Sequence, residues 1–110
     1  MKASDFGLTP RDINTLFSIF TKYPEVKCIS ICGSRAKGKH KFGSDIDLAI
    51  LNEGVNDKIM YRIMDEIEES TLPYFVDIRN YPTLTDEALK SNINKNGKEF
   101  YTVKNLISAT

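Results

Sequence analysis

Hydrophobic and polar residues alternate along this chain with two different periods. In two segments, Thr9–Tyr23 and Asn56–Ser70, apolar residues recur at every third or fourth position, which is the spacing of a helix with one buried face. The first of these helices has a clear start, because Thr9 can cap it, Pro10 suits its first position and Asp12 has capping-box spacing. A third helix is expected to start near Thr85 and to end before Gly97.

Other segments have the period of two that indicates strands. Val26–Cys32 is rich in β-branched residues, the segment 45–50 alternates apolar and acidic residues, and Tyr74–Ile78 forms a third short apolar run. The first two strands can pair antiparallel, whereas the second and third flank a crossover helix and should be parallel. The sequence therefore predicts a small α/β (α+β) domain in which helices pack on a mixed sheet. The structure of the segment from Lys98 to Leu106 is left open.

Length and composition limit the class of protein. The chain has 110 residues, 41% of them hydrophobic and 27% charged, which is typical of one globular domain spanning residues 1–110. Fifteen basic and fifteen acidic residues balance, so neither direct nucleic-acid binding nor membrane binding is expected. No apolar run approaches the roughly 20 residues that span a bilayer. We expect a cytoplasmic protein.

The two cysteines and the single histidine are not predicted to do chemistry. On a strand, Cys28 and Cys32 would lie about 13 Å apart, whereas a disulfide needs Cα atoms within about 7 Å. Their spacing also lacks the paired short loops of a zinc site. We expect two buried, reduced thiols. His40 has no second histidine or cysteine at ligand spacing, and we expect it to be exposed.

Three aspartates are the candidate chemical residues. On a strand, Asp45 and Asp47 project from the same face, with Cα atoms about 6–7 Å apart. Magnesium takes one or two carboxylates together with waters and substrate phosphates. Asp77 lies mid-strand among apolar residues and needs a partner. A parallel neighbouring strand would bring it to the first two carboxylates. The alternative is an ion pair of Asp77 with Arg79 or a lysine.

A glycine-containing turn follows the first strand. At Gly33-Ser34, backbone N–H groups can approach a phosphate closely, and a helix beginning at Ser34 would direct its positive end toward the anion. The alternative is a simple strand-ending turn. The next residues are locally basic, and Arg35 is the best candidate among them to contact a phosphate. The sequence contains neither a P-loop nor a dinucleotide-binding motif.

Together, Gly33-Ser34, ten further residues and Asp45-x-Asp47 resemble the G-S-x10-D-x-D signature of the minimal nucleotidyltransferases, within the polymerase-beta-like superfamily. The resemblance implies transfer of a nucleotide from a nucleoside triphosphate, ATP in the first instance, with two Mg²⁺ ions. It implies that these residues are catalytic and bind the metal: Asp45, Asp47 and Asp77. It also implies that these residues bind the nucleotide: Gly33, Ser34, Arg35 and Ser44.

The same resemblance suggests a partner. Many members of this family are antitoxins paired with a HEPN-domain toxin, an RNase, and they transfer AMP to a tyrosine of that toxin. We therefore expect a type VII antitoxin that adenylylates its cognate toxin. Two alternatives stay open: transfer to a small molecule such as an aminoglycoside, and an antitoxin that neutralises its toxin by binding alone. A homo-oligomer and a hetero-oligomer with the toxin are equally open.

Overall fold

Helices and strands follow one another in the predicted order, with one further strand at the end. The computed structural model of the protein describes residues 3–103. The α-helices and strands are, in chain order, α1 Pro10–Phe20, β1 Cys28–Cys32, α2 Gly33–Ala36, β2 Ile46–Ile50, α3 Asp57–Glu69, β3 Val76–Asn80, α4 Glu87–Asn96 and β4 Lys98–Thr102. Two short 3-10 helices, Ala3–Phe6 and Tyr81–Thr83, complete the fold.

The four strands form one mixed sheet in the order β3-β2-β1-β4. β1 pairs antiparallel with β2, and β2 pairs parallel with β3 across the crossover helix α3, so both predicted pairings are confirmed. β4 pairs antiparallel with the other edge of β1. The predicted fold class, a mixed sheet with helices packed on it, is therefore confirmed.

Local interactions define where the two long helices begin. Thr9 is the N-cap of α1: its hydroxyl accepts a hydrogen bond from Asp12 N at 3.1 Å, while Thr9 N donates to Asp12 Oδ2 at 3.0 Å. This capping box satisfies two backbone groups that the helix itself cannot pair. At α3, the side chain of Asn56 accepts from Ile59 N at 2.9 Å. The predicted starts of both helices are thus confirmed to within one residue.

One face of the sheet carries the hydrophobic core, which lies between the strands and the helices α1 and α3. Alternate strand residues point into it, so their side chains are almost fully shielded from water. The fully buried core residues include Leu16, Phe20, Ile29, Ile31, Ile46, Ile50 and Ile63.

The opposite face of the sheet is only partly covered, by α4. Asp86 caps this helix by accepting from Leu89 N at 3.1 Å, one residue later than predicted. Ile93 is the one buried residue of α4. At its C-terminal end, Gly97 lies close to β1, where a Cβ would meet Ser30 and Cys32 side-chain atoms at 3.4 and 3.6 Å. α4 therefore lies over β1 and leaves space above β2 and β3.

Three elements were not predicted, namely β4 and the two 3-10 helices. β4 was missed because a bulge opposite Ile29 interrupts its alternation, so that the consecutive residues Phe100 and Tyr101 are both buried. Their rings pack on α1, with Phe17 in edge contact with both at centroid distances of 5.4 and 5.1 Å. The first 3-10 helix buries Phe6. Within residues 3–103, no helix combines the length and the apolar character that crossing a bilayer requires.

Candidate active site

Asp47 and Asp77 lie side by side on the partly covered face of the sheet. They are direct partners in the register of β2 and β3. Adjacent strands are about 4.8 Å apart, and residues in register on parallel strands project from the same face. Ile46 and Leu48, which flank Asp47, point into the core. The same alternation that forms the core therefore places both carboxylates outside it.

Asp45 is in a different environment from the other two aspartates. It is exposed and precedes β2. Its backbone carbonyl oxygen accepts a hydrogen bond from Arg35 Nε at 3.3 Å. Its charge nevertheless contributes to raising the pKa of Asp47. Asp45 thus lies close enough to act electrostatically on Asp47.

A cavity of about 220 Å³ separates the two central carboxylates from α4. Its floor is formed by β2 and β3 and by the junction of Cys32 and Gly33, and its roof by α4. The residues that line it are Cys32, Gly33, Asp47, Leu48, Ala49, Asp77, Arg79, Leu89, Asn92 and Ile93. A larger cavity of about 350 Å³, between α3 and β3, has mostly apolar walls and also reaches Asp77.

The electrostatics of the site centre on Asp47. Burial raises its pKa above the usual value for an aspartate, and the charges of Asp77 and Asp45 raise it further, against weaker opposing effects of Arg79 and Arg35. Asp77 is paired with Arg79, whose Nε lies 3.1 Å from its Oδ2. The ion pair considered as an alternative from sequence is therefore present, and it coexists with the placement of Asp77 beside Asp47 in the register of β2 and β3.

Gly33 brings the main chain against Asp47. Its φ is +67°, a conformation that residues with a Cβ rarely adopt. A Cβ built on Gly33 would lie 3.2 Å from Asp47 Cγ and would overlap Oδ2. Gly33 also begins the four-residue helix α2, in which Ser34 is half-buried. The predicted helix is therefore present but short, and the turn before it lies directly beside the carboxylate.

Arg35 is not placed to meet a phosphate. It is 2% exposed, and its guanidinium donates to Phe6 O at 2.8 Å and to Ser44 O at 2.6 Å. It also stacks on the ring of Tyr74, 4.7 Å from the centroid. These contacts occupy the hydrogen-bond donors of Arg35, so its predicted direct role in nucleotide binding is corrected. Arg35 instead connects the N-terminal turn to the segment between α2 and β2.

Ser44 and His40 also differ from expectation. The Ser44 hydroxyl accepts a hydrogen bond from Lys41 N at 2.8 Å. Ser44 therefore stabilises the connection before β2, and it does not line the cavity. His40 was expected to be exposed, but it is half-buried against Gly7, where a Cβ would overlap its ring. Sequence could not show either contact, because both depend on how the loop folds back.

Cys32 and the α4 residues are site neighbours that the sequence reasoning missed. Cys32 pairs with Asp47 in the register of β1 and β2. Both cysteines are free, as predicted, but half-buried. Burial, followed by the charge of Asp47, raises the pKa of the Cys32 thiol to about 11. The position of Cys32 directly before Gly33 was a usable signal, whereas nothing in the α4 sequence marked Leu89 or Asn92.

The donor chemistry of the site fits magnesium, although the predicted three-carboxylate cluster is not formed. Among residues 3–103, no group of three His, Cys, Asp or Glu side chains is arranged to hold a metal ion. The reason is that Asp77 is paired with Arg79 and Asp45 lies in the exposed segment before β2. Two adjacent carboxylates nevertheless match the number that Mg²⁺ takes when phosphates and waters complete its coordination.

Comparison with known proteins assigns the chain to a family. The sequence profile of the family described as "Polymerase beta, Nucleotidyltransferase" matches residues 14–105. The chain belongs to this family. The predicted family membership is thereby confirmed, and the cavity beside Gly33 is the candidate active site of a nucleotidyltransferase.

Relatives of this nucleotidyltransferase are known in sequence and in structure. It is 41% identical over 56 residues to a Haemophilus influenzae protein named "Probable protein adenylyltransferase MntA", a match that covers 50% of the chain and 49% of that protein. The match therefore spans about half the length of the curated relative.

Two solved structures share the fold. A crystal structure of a toxin-antitoxin with AMP-PNP superposes with a TM-score of 0.67 at 19% identity, covering 89% of this nucleotidyltransferase and 79% of that chain. A structure of tri-AMPylated Shewanella oneidensis HEPN toxin in complex with MNT antitoxin has a TM-score of 0.62 at 17% identity, covering 90% and 76% of the two chains. At these identities the likeness concerns the fold.

Proposed function

We propose that this nucleotidyltransferase transfers AMP from ATP to a tyrosine of a cognate HEPN-domain toxin and so acts as its antitoxin. The observation that carries the proposal is the placement of Asp47 and Asp77 side by side in a cavity, against the Gly33 backbone. The relative named as a protein adenylyltransferase and the fold shared with an MNT antitoxin of an AMPylated HEPN toxin support the choice of acceptor.

In this proposal, Asp45, Asp47 and Asp77 hold two Mg²⁺ ions once the nucleotide is bound. The ions supply electrostatic stabilisation of the charge on the transferring phosphoryl group. Burial, followed by the charges of Asp77 and Asp45, raises the pKa of Asp47, and a bound cation would offset this penalty on its ionised form. Asp45, which is exposed and precedes β2, would complete the set of carboxylates that hold the ions.

The remaining residues position the reactants. The main chain at Gly33 and the hydroxyl of Ser34 hold the phosphates, since only a glycine allows this close approach. The acceptor tyrosine oxygen attacks the α-phosphorus, the bond to pyrophosphate breaks, and Asp77 takes the phenolic proton. Arg35 and Ser44 act indirectly, by fixing the loop between α2 and β2.

We further propose that the chain works as a single domain in the cytoplasm. Its two free thiols, Cys28 and Cys32, are in keeping with a reducing compartment, and ATP is available there.

The direct test is to incubate the purified protein with ATP, Mg²⁺ and the cognate HEPN-domain toxin and to measure intact masses. We expect the toxin to gain the mass of AMP on a tyrosine, and a chelator to abolish the gain. A toxin of unchanged mass with every nucleoside triphosphate would contradict the proposal.

A variant separates catalysis from simple occlusion of the toxin. The double change Asp45→Asn with Asp47→Asn keeps the shape of the site but removes two negative charges. We expect this variant to bind the toxin and to leave its RNase activity intact. Neutralisation of the toxin by the double variant would identify an antitoxin that acts by binding alone. If the wild-type protein modified an aminoglycoside and not the toxin, it would be a small-molecule enzyme.

A further inference from the structure

The connection between α2 and β2 carries the most exposed apolar side chain of the described residues. Phe42 has an exposed fraction of 104%, so it makes essentially no contact with the rest of the protein. Three other phenylalanines, Phe6, Phe20 and Phe100, are buried in the core. An aromatic ring is a large apolar surface, and such rings are enriched where proteins bind one another. The position of Phe42 therefore calls for an explanation outside the core.

The turn that carries Phe42 is held in a defined shape. Ser44 N donates to Lys41 O at 3.0 Å, and the Ser44 hydroxyl accepts from Lys41 N at 2.8 Å. Gly43 has a φ of +82°, as the third residue of a type II turn requires. The buried guanidinium of Arg35 holds Ser44 O at 2.6 Å. Phe42 is thus presented on a preorganised turn, which lowers the entropic cost of using it as a contact.

The segment that precedes Phe42 is positively charged. Lys37, Lys39 and Lys41 are all exposed, and the segment 33–44 contains no acidic residue. Both ion pairs within residues 3–103 lie elsewhere, at Lys22–Glu66 and Arg79–Asp77. An aromatic ring flanked by lysines is complementary to an apolar pocket that is ringed by acidic side chains.

The turn borders the candidate active site. Asp45 follows Ser44 directly, and β2 begins at the next residue. A second exposed phenylalanine, Phe75, lies at the same end of the sheet, since its carbonyl accepts from Ile46 N at 2.9 Å. A Cβ built on Gly38 or Gly43 would meet no atom within 4 Å, so both ends of the loop are open. A macromolecule bound to the loop would therefore reach the site.

We propose that the loop Lys37–Gly43 is the docking element for the protein acceptor, with Phe42 inserted into an acidic-rimmed apolar pocket of that partner. This inference rests on the proposed function, which makes the acceptor a protein. It assigns the loop to the acceptor and not to ATP, because neither Phe42 nor any of the three lysines lines the cavity formed with α4.

The test measures initial rates of toxin adenylylation while the concentrations of toxin and ATP are varied separately. For Phe42→Ser we expect the KM for the toxin to rise at least about ten-fold, as for the loss of a central interface aromatic. The KM for ATP should be unchanged. The matched control is Tyr61→Ser, which removes an aromatic ring of 66% exposure from α3, outside both cavities. Phe42→Trp should restore docking.

Charge and binding measurements complete the test. For Lys39→Glu with Lys41→Glu, we expect slower association with the toxin and a weaker dependence of its rate on salt. Equal KM values for Phe42→Ser and Tyr61→Ser, or a raised KM for ATP in Phe42→Ser, would overturn the docking role. If the wild-type protein modifies no toxin, the proposed function fails, and calorimetric affinities of the same variants for the toxin still decide the role of the loop.

Discussion

The two faces of the sheet differ although they are built from the same strands. On the face covered by α1 and α3, Ile29, Ile31 and Ile46 are fully buried in the hydrophobic core. On the other face, Asp47 and Asp77 are half-buried under the incomplete cover of α4. Because successive residues of a strand point to opposite sides, one short segment can stabilise the fold and carry the chemistry. The two functions should therefore separate under mutation.

The largest effect is expected on the acidic face. Asp47→Asn should lower adenylylation at least about a thousand-fold, the equivalent of losing several kcal/mol of charge stabilisation. Stability should not fall. The pKa of Asp47 is raised in the folded state, so ionisation of this carboxyl group destabilises the folded protein. Stability is therefore lost progressively as the pH rises through the folded pKa. Thermal melting with a chelator at pH 4.5 and pH 7.5 checks this: the variant should lose less stability than the wild type over that interval.

The core face should show the opposite behaviour. Phe20→Ala empties a fully buried site and should destabilise the protein by about 3–5 kcal/mol. Phe42→Ala, the same change at a fully exposed position, should alter the free energy of unfolding by less than about 0.5 kcal/mol. Urea denaturation measures both. Similar values for the two variants would contradict the assignment of the core.

Gly33 joins the two faces at the end of β1, so its replacement should affect both properties. Gly33→Ala forces a Cβ onto the Asp47 carboxylate and strains a positive φ, and we expect a loss of about 1–3 kcal/mol in stability together with reduced activity. Gly38→Ala is the matched control, because it has a similar φ of +70° but open space around the Cβ. Denaturation and toxin adenylylation assays should show a clearly smaller change for Gly38→Ala.

The smallest effect concerns the edge of the core face. Lys22 and Tyr23 hydrogen-bond to Glu66 and lower its pKa. This contribution to stability is present above the ordinary glutamate pKa and is lost as the pH falls through the lowered folded value. Glu66→Gln should therefore lose less stability on acidification than the wild type, by about 0.5 kcal/mol or less for so exposed a pair. Glu69→Gln, on the same helix, should leave the acid transition unchanged.

Much of the fold could be predicted because its signals are local. The capping residues Thr9 and Asn56, the helical spacing of α1 and α3 and the alternation in β2 depend on near neighbours in the chain. β4 could not be predicted in this way. Its bulge puts Phe100 and Tyr101 on one side, and only the rings of α1 explain why that arrangement is stable.

By itself, the sequence determined which residues are acidic, which strand face carries Asp47, and the spacing from Gly33 to Asp45 that marks the family. Only the tertiary structure decided the partners: the register that sets Asp77 beside Asp47, and the burial that turns Arg35 from a phosphate candidate into a structural residue. The physical reason is that periodicity fixes direction along one element, whereas burial and charge pairing depend on elements distant in the chain.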